Sequence, residues 1–215
     1  MVEASTTRLP YEGLHLSYHT VPAGTVLHRV HASRFGSVQY NPTGVGNARF
    51  SPLTAVNGKV VPTLYAGSTF NCAALETVFH DVPHEPGYKF LQQDRLRGLQ
   101  YSQIQTKAAL RLVDLSSKAL RLLGVKRNEL VDMDADRYLY TRQWAAAIHA
   151  QAHEAQGLRW VSRQDDEAMA VMLFGDRIKQ SHLTVRQAGR DILEDPEVFD
   201  RLLDLAERIG VCLTR

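Results

Sequence analysis

Five polar residues stand inside segments that are otherwise apolar: Arg29 in Thr25–Val30, Arg49 just before Phe50, Tyr65 in Lys59–Ala66, Glu76 in Phe70–His80, and Ser162 after Leu158–Val161. Each type carries a distinct chemistry. A guanidinium presents a fork of N–H donors that matches phosphate oxygens, so two arginines could hold both phosphates of a pyrophosphate. A carboxylate stabilises positive charge developing at a reacting carbon. A tyrosine ring gives a flat surface for a heterocycle and a hydroxyl for a neighbouring group, and a serine hydroxyl orients a partner by a hydrogen bond.

Glu76 is the most distinctive of the five. On a helix its neighbours three and four positions away are Cys72, Ala73, Phe79 and His80, mostly small or apolar. A carboxylate on such a face needs a partner or a function. Taken singly, the others have ordinary explanations. An arginine in a strand projects into solvent or pairs with an acid, Tyr65 packs with its hydroxyl exposed, and Ser162 opens the turn Arg163-Gln-Asp-Asp166. No G-x-S-x-G elbow surrounds Ser162, so it does not read as a hydrolase nucleophile. His149 and His153 lie one helical turn apart but lack an H-E-x-x-H pattern or a third ligand, and read as a solvated helix face with no metal. Asp165-Asp-Glu167 reads as a solvated turn.

The elements that must position these residues follow from local pattern. Thr25–Val30, Lys59–Ala66, Ala108–Leu115, Leu158–Val161 and Ala168–Phe174 read as strands. Tyr40–Pro52, rich in Gly and Pro, reads as a loop whose flexible backbone can approach a ligand. Helices are predicted for Phe70–His80 after a Ser68 or Thr69 cap, for Ser117–Leu123 stopping at Gly124, and for about Arg137–Gln156 stopping at Gly157. A last helix runs from the Asp195 cap and Pro196 to Ile209, with Gly210 as its stop. The order indicates a mixed α/β (α+β) chain without regular βαβ alternation.

The chain has 215 residues, a size at which one domain buries a sizeable core. A mean hydropathy of -0.25 and the lack of an apolar run near the ~18 residues of a membrane helix point to a soluble protein, and the N-terminal stretch lacks a secretory signal, so the cytoplasm is expected. A net charge of +2, with its cations dispersed among acids, does not indicate nucleic-acid binding. Two cysteines, Cys72 and Cys212, make no disulfide framework and read as buried, reduced thiols.

The five positions recur in segments that together resemble the RES-domain family. These are Leu27-His-Arg29-Val30, Asn47-Ala-Arg49-Phe50-Ser51, Leu64-Tyr65-Ala66-Gly67-Ser68, Ala73-Ala-Leu-Glu76-Thr-Val-Phe-His80 and Leu158-Arg-Trp-Val-Ser162-Arg163, with Leu173-Phe-Gly-Asp-Arg177 as a further feature. Where many members carry a Gly-Gly-Arg-Trp-like segment, this chain has Asn-Ala-Arg49-Phe. The resemblance implies a single domain over 25–215, with 1–24 as an N-terminal extension, and a fold related to ADP-ribosyltransferases. It implies the toxin of a type II toxin–antitoxin pair that depletes NAD by cleaving the nicotinamide–ribose bond. NAD is then substrate, not a recycled cofactor.

On that reading Glu76, Arg29 and Ser162 are the catalytic set, and Arg29, Arg49, Tyr65 and Ser162 bind NAD. The arginines take the pyrophosphate, Tyr65 holds nicotinamide or its ribose, Ser162 orients substrate, and Glu76 supplies charge at the reacting ribose. The acceptor stays open between water, phosphate and a protein side chain, the last making an ADP-ribosyltransferase. A catalytically silent binding module is the alternative from another class. The implied partner is an Xre-like antitoxin that covers the active site, with no direct nucleic-acid or membrane contact.

Overall fold

Strand and helix signals that rest on neighbouring residues are realised closely in the computed structural model, which describes residues 9–215; residues 1–8 of the expected extension lie outside the described residues. In chain order, β1 (Tyr18–Val21), β2 (Val26–Ala32), β3 (Leu53–Thr54), β4 (Val60–Val61) and β5 (Thr63–Gly67) precede helix α1 (Phe70–Leu75). β6 (Lys89–Gln92), β7 (Leu99–Thr106) and β8 (Leu110–Asp114) follow, and α2 (Ser117–Leu123) and α3 (Tyr138–Gln151) then lead to β9 (Gly157–Val161). β10 (Met169–Phe174), β11 (Leu183–Asp191), α4 (Pro196–Arg208) and β12 (Val211–Thr214) complete the order.

Eight strands form one curled sheet in the order β1-β8-β9-β10-β5-β2-β7-β11. Within it β8 and β9 are parallel, joined by the crossover through α2 and α3, and the other pairs are antiparallel. The fold is mixed α/β. Tyr18–Val21, in the segment read as an extension, pairs with β8 at one sheet edge. One core cluster packs α2 and α3 against one sheet face through Trp144, Ile148, Trp160 and Met172. A second surrounds α1 and α4 through Phe70, Leu75 and Leu202, and a third joins Leu27, Leu64, Ile104 and Leu173 on the sheet. Among the described residues no helix is long and apolar enough to cross a membrane.

Several boundaries differ from the sequence expectation for physical reasons. The strand expected over Lys59–Ala66 divides at Pro62, which lacks an N–H for a ladder, so β4 pairs with β3 while β5 joins the main sheet. The helix expected to reach His80 stops at Leu75. The Ala74 carbonyl gathers the N–H groups of Thr77, Val78 and Phe79, which ends the regular ladder at Glu76. α3 stops at Gln151, not near Gln156, because the Arg177 guanidinium donates to the carbonyls of Ala152 and Ala155, each at 2.6 Å, and of His149 at 2.5 Å. Gly157 is not a helix stop. It lies in β9, where an added Cβ would sit 2.3 Å from the Met172 carbonyl oxygen.

Strands β1, β3, β6, β7, β11 and β12 lack a clear sequence signal. β7 reads Leu-Gln-Tyr-Ser-Gln-Ile-Gln-Thr, yet it is a central strand between β2 and β11. Two further expectations are corrected. His149 is buried, not on a solvated face, with Nε2 2.9 Å from Asp176 Oδ2. Cys72 is buried but Cys212 is exposed.

Candidate active site

A cavity of about 550 Å³ opens between β2, β5, the loop before β3 and the end of α1. Arg29, Arg49, Tyr65 and Glu76 all line it, with His31 and Tyr138. Residues far apart in sequence thus meet in one concave site of the size that holds a small-molecule ligand.

Glu76 reaches the cavity because strand and helix turn tightly into one another. β5 ends at Gly67, where an added Cβ would lie 2.8 Å from Cys72 Sγ and 2.9 Å from Cys72 Cβ, so only glycine admits α1 this close. Thr69 caps α1 by accepting the Cys72 N–H at 3.0 Å. Glu76 follows the last helical residue and is half-buried.

Ser162 stands behind Glu76. Its hydroxyl donates to Glu76 Oε1 at 2.6 Å and accepts from the N–H groups of Gln164 at 3.1 Å and Asp165 at 3.2 Å. It is fully buried, and its one proton is committed to the carboxylate. Its direct effect is to fix one carboxylate oxygen of a residue that lines the cavity.

The two arginines differ. Arg29, in β2, donates to the carbonyls of Gly36 at 3.2 Å and Ser37 at 2.8 Å. Burial lowers its pKa to about 10, with nearby Tyr40 opposing, so it stays cationic at neutral pH. Arg49 is 4% exposed and donates through one terminal nitrogen to the Met133 carbonyl at 2.9 Å. Its Nε and Nη2 are buried without a hydrogen-bond partner. Buried guanidinium donors left open beside a cavity favour an anion there.

The glycine-rich loop carrying Arg49 is tied down. The Tyr65 hydroxyl accepts the Phe50 N–H at 3.2 Å, and the Thr141 hydroxyl donates to the Arg49 carbonyl. Arg142 donates to the Ala48 carbonyl at 3.3 Å and to the Asn47 side chain. The Tyr65 ring meets Trp160 edge-on at 6.3 Å, and burial pushes its hydroxyl up to about 12. Cys72 also lines the cavity, but burial, followed by the Glu76 charge, raises its thiol to about 12 and keeps it an unreactive thiol at neutral pH.

Two cavity residues escaped the sequence reading. His31 donates from Nδ1 to the Ala32 carbonyl at 3.1 Å, and its Nε2 lies 2.8 Å from Ser102 Oγ, which is 3.0 Å from Ser37 Oγ. Burial, then the Arg29 charge, lowers its pKa to about 4. The alternation Leu27, Arg29, His31 was the available signal. Tyr138 contacts His80 across a separation of 58 residues, which no local pattern encodes. Among the described residues no cluster of His, Cys, Asp or Glu is placed to hold a metal ion.

A comparison with curated proteins finds no match. The family model described as the RES domain matches residues 26–194, which span β2 to the turn before α4 and contain all five polar positions. The chain belongs to the RES-domain family.

Proposed function

We propose that this chain is an NAD-degrading toxin that cleaves the nicotinamide–ribose bond, with residues 25–215 as the catalytic unit acting in the cytoplasm. The observation that carries this reading is the pairing, in one cavity, of a buried Arg49 with two open N–H donors and a Glu76 carboxylate held on one oxygen by Ser162. An anionic pyrophosphate answers the first group. A ribose that becomes cationic as its glycosidic bond breaks answers the second.

Arg49 takes the pyrophosphate, with Arg29 adding a fixed positive charge in the same wall. Tyr65 shapes the place for nicotinamide and its ribose. Glu76 offers its free oxygen to the reacting ribose, and Ser162 sets the orientation of that carboxylate. Val45, 77% exposed at the cavity rim, supplies apolar surface where an Xre-like antitoxin covers the mouth.

The test is incubation of the purified protein with NAD and identification of the ribosyl product. The expected result is release of nicotinamide, with Glu76→Ala losing turnover while keeping the parent melting temperature. NAD left intact under every acceptor condition overturns the reading, as does a Glu76→Ala protein that consumes NAD at the parent rate.

A further inference from the structure

Cleavage of the nicotinamide–ribose bond sends its electron pair to the pyridinium nitrogen, so nicotinamide leaves neutral and needs no proton. An acceptor that carries its own O–H, such as water, must lose a proton as its oxygen bonds to the ribose carbon. Glu76 is needed there as a charge, and one of its oxygens is already engaged by Ser162. A separate proton acceptor is required.

Beside Glu76 in the cavity wall, the Tyr138 hydroxyl lies 2.6 Å from His80 Nε2, and His80 Nδ1 lies 2.8 Å from Asp81 Oδ1. A carboxylate only accepts, so Nδ1 carries the proton and Nε2 is the acceptor for the tyrosine O–H. This is the order of a base oriented by a third group. Exposure rises along the chain, from 2% for Tyr138 to 21% for the His80 side chain and 77% for that of Asp81. A proton received at the buried end therefore has a route to solvent.

We propose that Tyr138 is a catalytic residue that takes the proton of a hydroxylic acceptor while passing its own to His80, with Asp81 stabilising the resulting imidazolium. The inference rests on the NAD-cleavage reading above. In the step the acceptor O–H and the ribose–nicotinamide bonds break, a ribose–oxygen bond forms, and the proton ends on His80 before leaving to solvent. Burial raises the pKa of Tyr138, opposed by Arg49 and Arg163, so its hydroxyl is neutral and serves as a relay without resting as a phenolate. The charged groups facing the pair are Asp81, Glu76, Arg49 and Arg163, and Gln164 donates to the His80 carbonyl at 3.4 Å.

The full chain is assayed for NAD loss in phosphate-free buffer from about pH 5 to about pH 9, a range that spans imidazole titration. Tyr138→Phe keeps the ring and its edge-on contact with the His80 ring at 6.0 Å, and removes the hydroxyl that bonds His80 Nε2. It is expected to lower kcat about 100-fold, to leave KM and melting temperature near the parent values, and to abolish the acid limb of the pH profile. His80→Gln, at a partly exposed position, is expected to give the same loss and serves as the second variant. A Tyr138→Phe protein with the parent kcat and acid limb overturns the relay alone. NAD loss that requires inorganic phosphate and is insensitive to Tyr138→Phe does the same. Intact NAD with the parent protein both with and without inorganic phosphate is a different outcome, seen before any variant is made, and removes the cleavage reading and the relay together.

Discussion

Arg49 and Arg163 donate to the same Met133 carbonyl, each at 2.9 Å. Arg163 also bonds the Asp132 carbonyl at 3.2 Å and Asp134 Oδ1 at 3.1 Å, so it braces the short segment on which Arg49 leans. Removing the brace and removing the ligand should separate in kinetics. Arg49→Ala is expected to raise the KM for NAD about 100-fold, the scale of losing charge-assisted bonds of about 1.5–3 kcal/mol. Arg163→Ala should raise it only several-fold with little change in kcat. An unchanged KM in Arg163→Ala would mean that Met133 holds its place without it.

Ser162 acts on Glu76 and on its own turn at once. Ser162→Ala frees the carboxylate and strips the Gln164 and Asp165 N–H groups of their acceptor. The expected result is a kcat lowered at least about tenfold with KM nearly constant, and a loss of about 1–2 kcal/mol in urea unfolding. A kcat at the parent level would show that Glu76 is oriented by other contacts.

His31 makes stability depend on pH. Its folded pKa of about 4 lies below the unfolded 6.5, so the unfolded chain binds more protons between these values. Stability is therefore highest above 6.5 and falls as pH drops toward 4, by up to about 3 kcal/mol on the linkage relation. His28 and His149, both lowered chiefly by burial, act with the same sign. Denaturant midpoints at about pH 7 and about pH 4.5 should differ less for His31→Gln than for the parent, and an equal difference would remove His31 from the account.

Arg177 should matter for folding and not for the chemistry. Its guanidinium satisfies three carbonyls at the end of α3 and is not among the residues that line the cavity. Arg177→Lys keeps the charge but cannot bond all three, and is expected to cost about 2–3 kcal/mol. NAD turnover per folded molecule should be unchanged, which a thermal melt paired with an activity assay would check.

The sequence was most legible where an element is bounded by its own residues. α2 runs Ser117–Leu123 and ends at Gly124 with φ 73, as read, because a left-handed cap is a one-residue signal. α4 begins at Pro196 with Asp195 accepting the Val198 N–H, again a local device. The end of α3 was misread because its stop comes from Arg177, which lies beyond two strands. β7 was missed because Ser102 and Thr106 are themselves among its buried residues, with Gln100, Gln103 and Gln105 between, so no apolar alternation marks it; only its neighbours β2 and β11 bury it. In the site, residue types were visible but relations were not. Ser162 meets Glu76 over a separation of 86 residues, so a serine read as contacting substrate is found contacting the carboxylate.

The loop Tyr40–Pro52 has the Gly- and Pro-rich composition of a mobile segment, yet within it each of the four residues Asn47 to Phe50 is fastened through its side chain or backbone to α3 or β5. Its ordering cost is met when the chain folds and does not recur when a ligand arrives. Little of the affinity for an anion at Arg49 should be lost to loop closure, and affinity should respond to cuts in distant ties. The bonds from Thr141 and Arg142 on α3 thereby make a helix without any phosphate contact a determinant of phosphate affinity.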